Sequence, residues 1–279
     1  MTFENSLIKN INLNDIHMEP FPYVIIKNPL KEEYYKELQS QFPSDDLFVK
    51  NKKYQENHRY NIFNYNYEEI TKIWKQFLDY HSSEAFLNEL INLFYKHLKE
   101  YYPNFIEDYE NNKFKIGNSQ KDFKEKKIDL CISADLAINT PLRKVVNTVR
   151  TPHLDNKKKI ITGLFYMRNE EDKSLGGNLE ICRFKNKFNK KYYGNSVPYK
   201  YVDVIDTVPY EQNIMIIFLN SPNSIHGVTD RSPTPFSRRF IYFSLSSQTF
   251  EAHNTTNNQI SVFEEVILRF KRKLRHLIK

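Results

Sequence analysis

This 279-residue sequence predicts an α+β fold whose larger part is β, on three observations. Between Ile128 and Leu245 lie eight short apolar or alternating runs, separated by polar turns and with no helical period between them. That pattern predicts an antiparallel sandwich or barrel rather than an alternating α/β sheet. Ahead of them, residues 45–125 carry two amphipathic stripes at helical spacing. Behind them, Ser261 and Glu264 form a capping box that opens a last amphipathic helix.

In sequence order, residues 1–20 are polar with scattered apolar positions and read as an arm or short helix. Phe21 to Ile26 reads as a strand. A helix over Lys31 to Gln41 is stopped by Phe42-Pro43-Ser44. Residues 45–65, rich in Tyr and Asn, read as loop. The first helical stripe, Tyr67 to Tyr80, places Ile70, Ile73, Trp74 and Phe77 on one face. The second, capped by Ser83, does the same with Phe86, Leu90, Leu93, Phe94 and Leu98. The expected strands are Ile128 to Ile138, Lys144 to Val149, Ile160 to Met167, Leu179 to Phe184, Tyr201 to Ile205, Ile214 to Leu219, Ser224 to Val228 and Arg238 to Leu245. Phe263, Val266, Ile267, Phe270 and Leu274 form the apolar face of the C-terminal helix, whose basic end suits a helix C-terminus. The organisation expected is 1–127 as a strand and helical layer, 128–250 as the β core and 251–279 as the closing helix, together one structural domain.

Composition narrows the function classes. Forty per cent hydrophobic and 15% aromatic residues describe a globular protein, not a disordered one. Cys131 and Cys182 both sit in apolar runs and read as buried free thiols, pointing to the cytoplasm. No apolar run approaches the length of a membrane span, and no secretory signal follows Met1. The net charge of +7 permits an acidic partner. Its basic residues are dispersed, which fits solvated loops better than a nucleic-acid surface.

One pattern carries chemistry. Thr151-Pro152-His153-Leu154-Asp155 precedes the apolar run from Ile160. Residues i and i+2 of an extended strand share a face, so the imidazole and the carboxylate can reach one metal ion. Two nitrogen ligands and one carboxylate on a single face hold non-haem Fe(II) in oxygenases. The tripeptide alone is equally consistent with a strand-start His and a turn-forming Asp. In a barrel, a distal ligand belongs on a late strand, where His226 stands. Twelve residues later Arg238 and Arg239 open a strand; adjacent strand residues face opposite ways, so only one can point inward. Arg grips a carboxylate bidentately and does not lose its charge. Arg231, in the intervening turn, is the weaker candidate.

From Val145 to Ser246 the sequence resembles the Fe(II)/2-oxoglutarate-dependent oxygenases, nearest to the prolyl-4-hydroxylase type. The resemblance rests on four pieces in order: His153-Leu154-Asp155-Asn156, Thr162-Gly163-Leu164-Phe165-Tyr166-Met167, Gly176-Gly177-Asn178-Leu179, and His226-Gly227-Val228 with its Arg-led strand. It implies a double-stranded β-helix (a jelly-roll or cupin-like barrel) buttressed by the N-terminal helices and the C-terminal helix. It implies His153, Asp155 and His226 as Fe(II) ligands and Arg238 as the partner of the distal carboxylate of 2-oxoglutarate. Tyr166 would help hold that carboxylate and Thr162 would line the pocket. The spacing from His226 to Arg238 is a few residues longer than in typical prolyl hydroxylases, which keeps Arg239 as the alternative anchor. The nucleic-acid demethylase branch has a second Arg six residues after the anchor; Ser244 stands there, or Leu245 counted from Arg239. Halogenating relatives lack the carboxylate ligand, whereas Asp155 is present.

The resemblance therefore implies a dioxygenase that hydroxylates a C–H bond and releases succinate and CO2, using Fe(II), 2-oxoglutarate and O2, with ascorbate as an optional reductant. The substrate would be a small molecule or a peptide: a peptide or protein side chain, a free amino acid, or a sugar or lipid of the cell envelope. His58, Arg59 and Tyr60, or Asn147 and Arg150, are candidates to touch it, with surface or packing roles the simpler reading. Two rival classes are a cupin-like metal-binding protein and a catalytically silent oxygenase fold that acts as a binding module. A cupin would favour His-x-His plus Glu over His-x-Asp.

Overall fold

The computed structural model describes residues 4–50, 52–62, 67–186, 192 and 195–254. The C-terminal helix expected from Ser261 lies outside the described residues. The elements run β1 (Tyr23–Lys27), α1 (Glu32–Ser40), α2 (Asp45–Val49), β2 (Arg59–Asn61), α3 (Lys72–His81), α4 (Glu84–Tyr101), α5 (Pro103–Glu110), β3 (Ile116–Gly117) and α6 (Gln120–Lys124). They continue with β4 (Leu130–Asn139), β5 (Lys159–Tyr166), β6 (Leu179–Phe184), β7 (Val202–Val208), β8 (Ile214–Leu219), β9 (His226–Val228) and β10 (Arg238–Ser247). The result is a sheet-rich α+β protein.

A seven-stranded sheet has the order β1-β8-β5-β10-β4-β2, with β3 added in parallel on β4. A three-stranded antiparallel sheet has the order β7-β6-β9. The large sheet is buried on both faces, which explains why its strands read as continuous apolar runs. On β10, Phe240 and Tyr242 join a cluster with Leu164, Tyr166, Ile216 and Phe218 of the same sheet and Leu179, Ile181 and Val208 of the smaller one. The alternate residues Ile241, Phe243 and Leu245 join the core under the helices, with Trp74, Phe77, Phe86 and Phe94. Phe77 is 0% exposed, a burial that contributes about 1.5–3 kcal/mol against leaving it in water.

The helical layer forms for local reasons. Ser83 caps α4, its hydroxyl accepting from the Phe86 N–H at 3.3 Å. Pro103 opens α5, where a missing N–H costs nothing. The expected helix from Tyr67 begins later: Tyr67–Glu69 is a 3-10 turn and α3 starts at Lys72.

Two further expectations are corrected. Lys144 to Val149 is not a strand; it is an irregular segment with a single bridge at Asn147–Arg231, and Val145 and Val146 are exposed. Residues 45–65, expected as loop, contain α2 and the edge strand β2. Both cysteines are buried and free. No helix among the described residues is long and apolar enough to cross a membrane.

Candidate metal centre

His153, Asp155 and His226 come together, with one ligand atom from each lying within 4.8 Å of the others. The backbone sets this up. His153 N–H donates to the His226 carbonyl at 2.9 Å and His226 N–H to the His153 carbonyl at 3.1 Å. This isolated antiparallel bridge ties the loop before β5 to the start of β9. Leu154, 0% exposed, turns into a separate apolar cluster with Cys182 and Ile225, so its two neighbours share the opposite direction.

Each imidazole is fixed through one nitrogen. His153 Nδ1 lies 2.9 Å from the Thr151 carbonyl and His226 Nδ1 lies 3.0 Å from the Ser224 carbonyl. A carbonyl only accepts, so Nδ1 carries the proton and Nε2 keeps its lone pair. Burial, followed for His153 by His226 beside it, lowers both imidazole pKa values. Neutral rings with a free Nε2 beside a carboxylate are the donor set that Fe(II) requires, so the residues fit such an ion.

Asp155 is held on several sides. Its Oδ2 accepts from Thr162 Oγ1 at 2.7 Å and from the Tyr242 hydroxyl at 3.3 Å, while Lys159 Nζ stands 3.8 Å from Oδ1. Asn220 Nδ2 in turn donates to Thr162 Oγ1 at 2.9 Å. Burial opposes ionisation, but Lys159, the two imidazoles and Thr162 outweigh it and hold the carboxyl well below the usual carboxylate range. Lys159 also donates to the Tyr242 hydroxyl.

Arg238 lies on the same inner face, four residues along β10 from Tyr242, about 13 Å at the backbone. It is 3% exposed. Its Nε donates to the Gly177 carbonyl at 2.8 Å, Nη2 to the Tyr166 hydroxyl at 3.1 Å and Nη1 to Asn139 Oδ1 at 3.5 Å. The Tyr166, Tyr210 and Phe240 rings surround it, with centroids at 4.9 to 5.0 Å. Among the described residues it has no carboxylate partner. The Gly176-Gly177 turn that offers this carbonyl has φ of +77° and +73°. A Cβ on Gly176 would stand 1.8 Å from the Asp230 carbonyl oxygen, so no other residue fits there.

The remaining sequence candidates separate. Arg239 is on the opposite face of β10, its guanidinium 5.0 Å from the Phe42 ring centroid, away from the triad. Arg231 is spent on Asp172, with Nη2 to Oδ2 at 2.7 Å. Asn147 pairs through its backbone with Arg231, and Tyr60 is buried with its hydroxyl on the Lys53 carbonyl. Arg59 does reach the inner face, 4.2 Å from the Tyr242 centroid. Sequence reasoning missed Lys159, Tyr242, Asn139 and Asn220. Only strand register brings them to the site, and no local motif signals that.

No family model matches the sequence, and no curated protein matches it. Its structural neighbours are prolyl 4-hydroxylases and other oxygenases. It is similar to a prolyl 4-hydroxylase from Phytophthora capsici, at 14% identity and TM-score 0.46, covering 99% of this protein and 77% of that one. It is similar to a prolyl-4-hydroxylase from Pseudomonas putida, at 12% identity and TM-score 0.42, covering 81% and 92%. It is also similar to a prolyl hydroxylase from Trichoplax adhaerens solved with a hypoxia-inducible-factor peptide, at 12% identity and TM-score 0.42, covering 85% and 87%.

Proposed function

We propose that this protein is an Fe(II)- and 2-oxoglutarate-dependent dioxygenase that hydroxylates an unactivated C–H bond, with release of succinate and CO2. The observation that carries the reading is a buried arginine with no carboxylate partner among the described residues, on the same face of β10 as Tyr242, whose hydroxyl contacts Asp155 of the His-Asp-His group. Burying a lone cation is expensive, so a site that keeps one is built for an anion.

In this reading His153, Asp155 and His226 hold the metal through two Nε2 atoms and a carboxylate. When bound, Fe(II) and 2-oxoglutarate supply the redox chemistry that activates O2. The other residues bind, orient and exclude water. Arg238 receives the distal carboxylate, and Tyr166, whose hydroxyl already accepts from Arg238 at 3.1 Å, adds its own hydrogen bond to that carboxylate. Thr162, Asn220 and Tyr242 orient Asp155. Tyr166, Leu164 and Phe218 belong to one buried apolar cluster on this face, and an apolar surround strengthens each polar contact beside it. We place these parts in a double-stranded β-helix of residues 128–250 covered by the N-terminal layer, working in the cytoplasm.

Anaerobic titration of the full-length protein with Fe(II) and 2-oxoglutarate tests the proposal. The expected result is the weak visible absorption of 2-oxoglutarate chelated to Fe(II). It should be absent in His153→Ala and need a much higher 2-oxoglutarate concentration in Arg238→Leu. A folded wild type that binds Fe(II) but never 2-oxoglutarate would leave a metal-binding module instead.

A further inference from the structure

The inner face carries charged groups that the proposed reaction does not use. Arg59 on β2 and Asp135 on β4 both converge on Tyr242. The Arg59 guanidinium lies 4.2 Å from the Tyr242 centroid and 5.3 Å from that of Phe240. Asp135 is the direct cross-strand partner of Tyr242 in the β4–β10 ladder. The Tyr242 hydroxyl contacts Asp155 at 3.3 Å, so this ring spans from the pair of charges to a proposed metal ligand.

Neither charge has an opposite charge in contact among the described residues, and Arg59 is exposed. Arg59 spends only Nε, on Asn61 Oδ1 at 3.0 Å; its two terminal NH2 groups have no partner among the described residues. Stacking on two rings and the bond to Asn61 fix the guanidinium plane and leave its edge open for bidentate contact. Asp135 is half-buried, and its carboxyl group makes no hydrogen bond or ion pair among the described residues. Burial pushes its carboxyl up to about 7, although Arg59 and then Lys159 act to lower it. The third charge, Lys159, is occupied by Asp155 and the Tyr242 hydroxyl. An unpaired cation and an unpaired anion, held near each other yet out of contact beside the same ring, match a ligand that carries both signs.

We propose that Arg59 and Asp135 bind the head group of a free α-amino acid, its carboxylate on the open edge of Arg59 and its ammonium on Asp135. This rests on the dioxygenase reading and names the substrate class for it. The head group lies along Tyr242, and the rest of the amino acid extends toward His153, Asp155 and His226. The bond hydroxylated is then a C–H beyond the α-carbon. One atom of O2 ends in the new C–OH and the other in succinate, while 2-oxoglutarate is oxidised and loses CO2. An internal residue of a peptide has neither charge, gives the open edge of Arg59 nothing to hold, and leaves the half-buried Asp135 carboxyl unpaired.

Calorimetric titration tests this, using the full-length protein with Zn(II) and 2-oxoglutarate in place so that nothing turns over. The probes are the twenty protein L-amino acids, each free, N-acetylated and carboxamidated. At least one free acid is expected to bind, and both of its blocked forms to bind at least tenfold more weakly. Arg59→Gln and Asp135→Asn should each weaken it tenfold or more, and Arg59→Lys less. Unchanged melting curves would show that these variants fold, and 2-oxoglutarate affinity should stay within twofold in Arg59→Gln. Equal binding of blocked forms, binding of none of the twenty, or tighter binding of an acidic peptide would overturn the inference. So would a loss of 2-oxoglutarate affinity in Arg59→Gln, which would give that arginine to the co-substrate. Failure of the wild type to bind 2-oxoglutarate refutes the dioxygenase reading itself, a distinct outcome.

Discussion

Replacing Thr162 with Val keeps the branched shape and removes one hydroxyl from the wall beside Asp155. Thr162 is 2% exposed, and its Oγ1 donates to Asp155 Oδ2 at 2.7 Å while accepting from Asn220 Nδ2 at 2.9 Å. A hydrogen bond to a charged group contributes about 1.5–3 kcal/mol, and the Asn220 donor, 1% exposed, would be left unpaired. Two contacts to Asp155 remain, the Tyr242 hydroxyl at 3.3 Å and Lys159 at 3.8 Å, both longer than the one lost. The carboxylate stays ionised but loses the bond that fixes its direction. Outer hydrogen-bond partners of this kind are worth about 10- to 100-fold in metal affinity, or about 1.4–2.7 kcal/mol. The assay is Co(II) titration of the metal-free protein, followed by visible absorption, with urea unfolding of the same sample. A loss of stability of about 1–3 kcal/mol is expected alongside the weaker binding. If unfolding shifts as expected but the Co(II) dissociation constant stays within twofold, Thr162 serves packing only and the orienting role is refuted.

Three further outcomes follow from buried groups. Gly176→Ala should destabilise the protein by more than about 2 kcal/mol, because positive φ and a Cβ 1.8 Å from the Asp230 oxygen act together; a thermal melt reads this directly. Arg238→Met should leave the ligand-free protein as stable as wild type or up to about 2 kcal/mol more stable, since a buried cation with no counter-ion among the described residues is replaced by an apolar group, while 2-oxoglutarate binding is lost. A large fall in Tm would show instead that Arg238 is a structural strut. His81 is 0% exposed, with Nδ1 on the Phe77 carbonyl at 2.8 Å and Nε2 accepting from the Leu7 N–H at 3.2 Å; burial pushes its pKa down to about 3. The unfolded protein takes up this proton near pH 6.5 and the folded protein does not. Stability from this site is therefore complete above about pH 6.5 and falls by about 1.4 kcal/mol per unit as pH drops below it. Urea unfolding at pH 7, 6 and 5 should show a slope shallower by about one proton in His81→Gln; parallel slopes would contradict the burial argument.

How much of this was legible in the sequence depends on whether a feature is local. His153 and Asp155 are two residues apart and declare themselves. His226 and Arg238 are legible only through the order of pieces along the sequence. The opposition of Arg238 and Arg239 follows from strand alternation, but the side that faces the triad is decided by the register in which Phe240 pairs with Tyr166 and Ala137. Lys159 and Tyr242 reach Asp155, and Asn220 reaches Thr162 behind it, from three different strands or loops, and no local spacing encodes such a meeting. Lys144 to Val149 misleads for a related reason: Val-Val has strand propensity, yet no strand partners it, and its backbone is held at one point, where Asn147 exchanges two hydrogen bonds with Arg231. The elements α2, of five residues, and β2, of three, are too short to display a period.

The two deeply buried arginines of the late loop and strand make the strongest contrast. Arg231 and Arg238 are each 3% exposed. Arg231 is neutralised in place: Asp172 lies 2.7 Å away, Ser174 Oγ accepts from its Nε at 3.1 Å, and Arg168 Nε stands 3.7 Å from the same carboxylate. That is how a fold stabilises a cation it needs only for structure. Arg238 is as deeply buried and donates to a hydroxyl, an amide oxygen and a backbone carbonyl, but to no acid among the described residues. Its hydrogen bonds aim the guanidinium without cancelling its charge. The triad shows the complementary deficit, two lone pairs and a carboxylate converging where a cation would complete them. One ligand set, a divalent metal and a dicarboxylate, would satisfy both deficits at once, and a charged pair at Arg59 and Asp135 would still be left for a third molecule. If these groups bound no ligand, Arg238→Met, Arg59→Gln and Asp135→Asn would each leave every binding unchanged. The proposal requires Arg238→Met to lose 2-oxoglutarate, and Arg59→Gln and Asp135→Asn each to weaken the same amino acid.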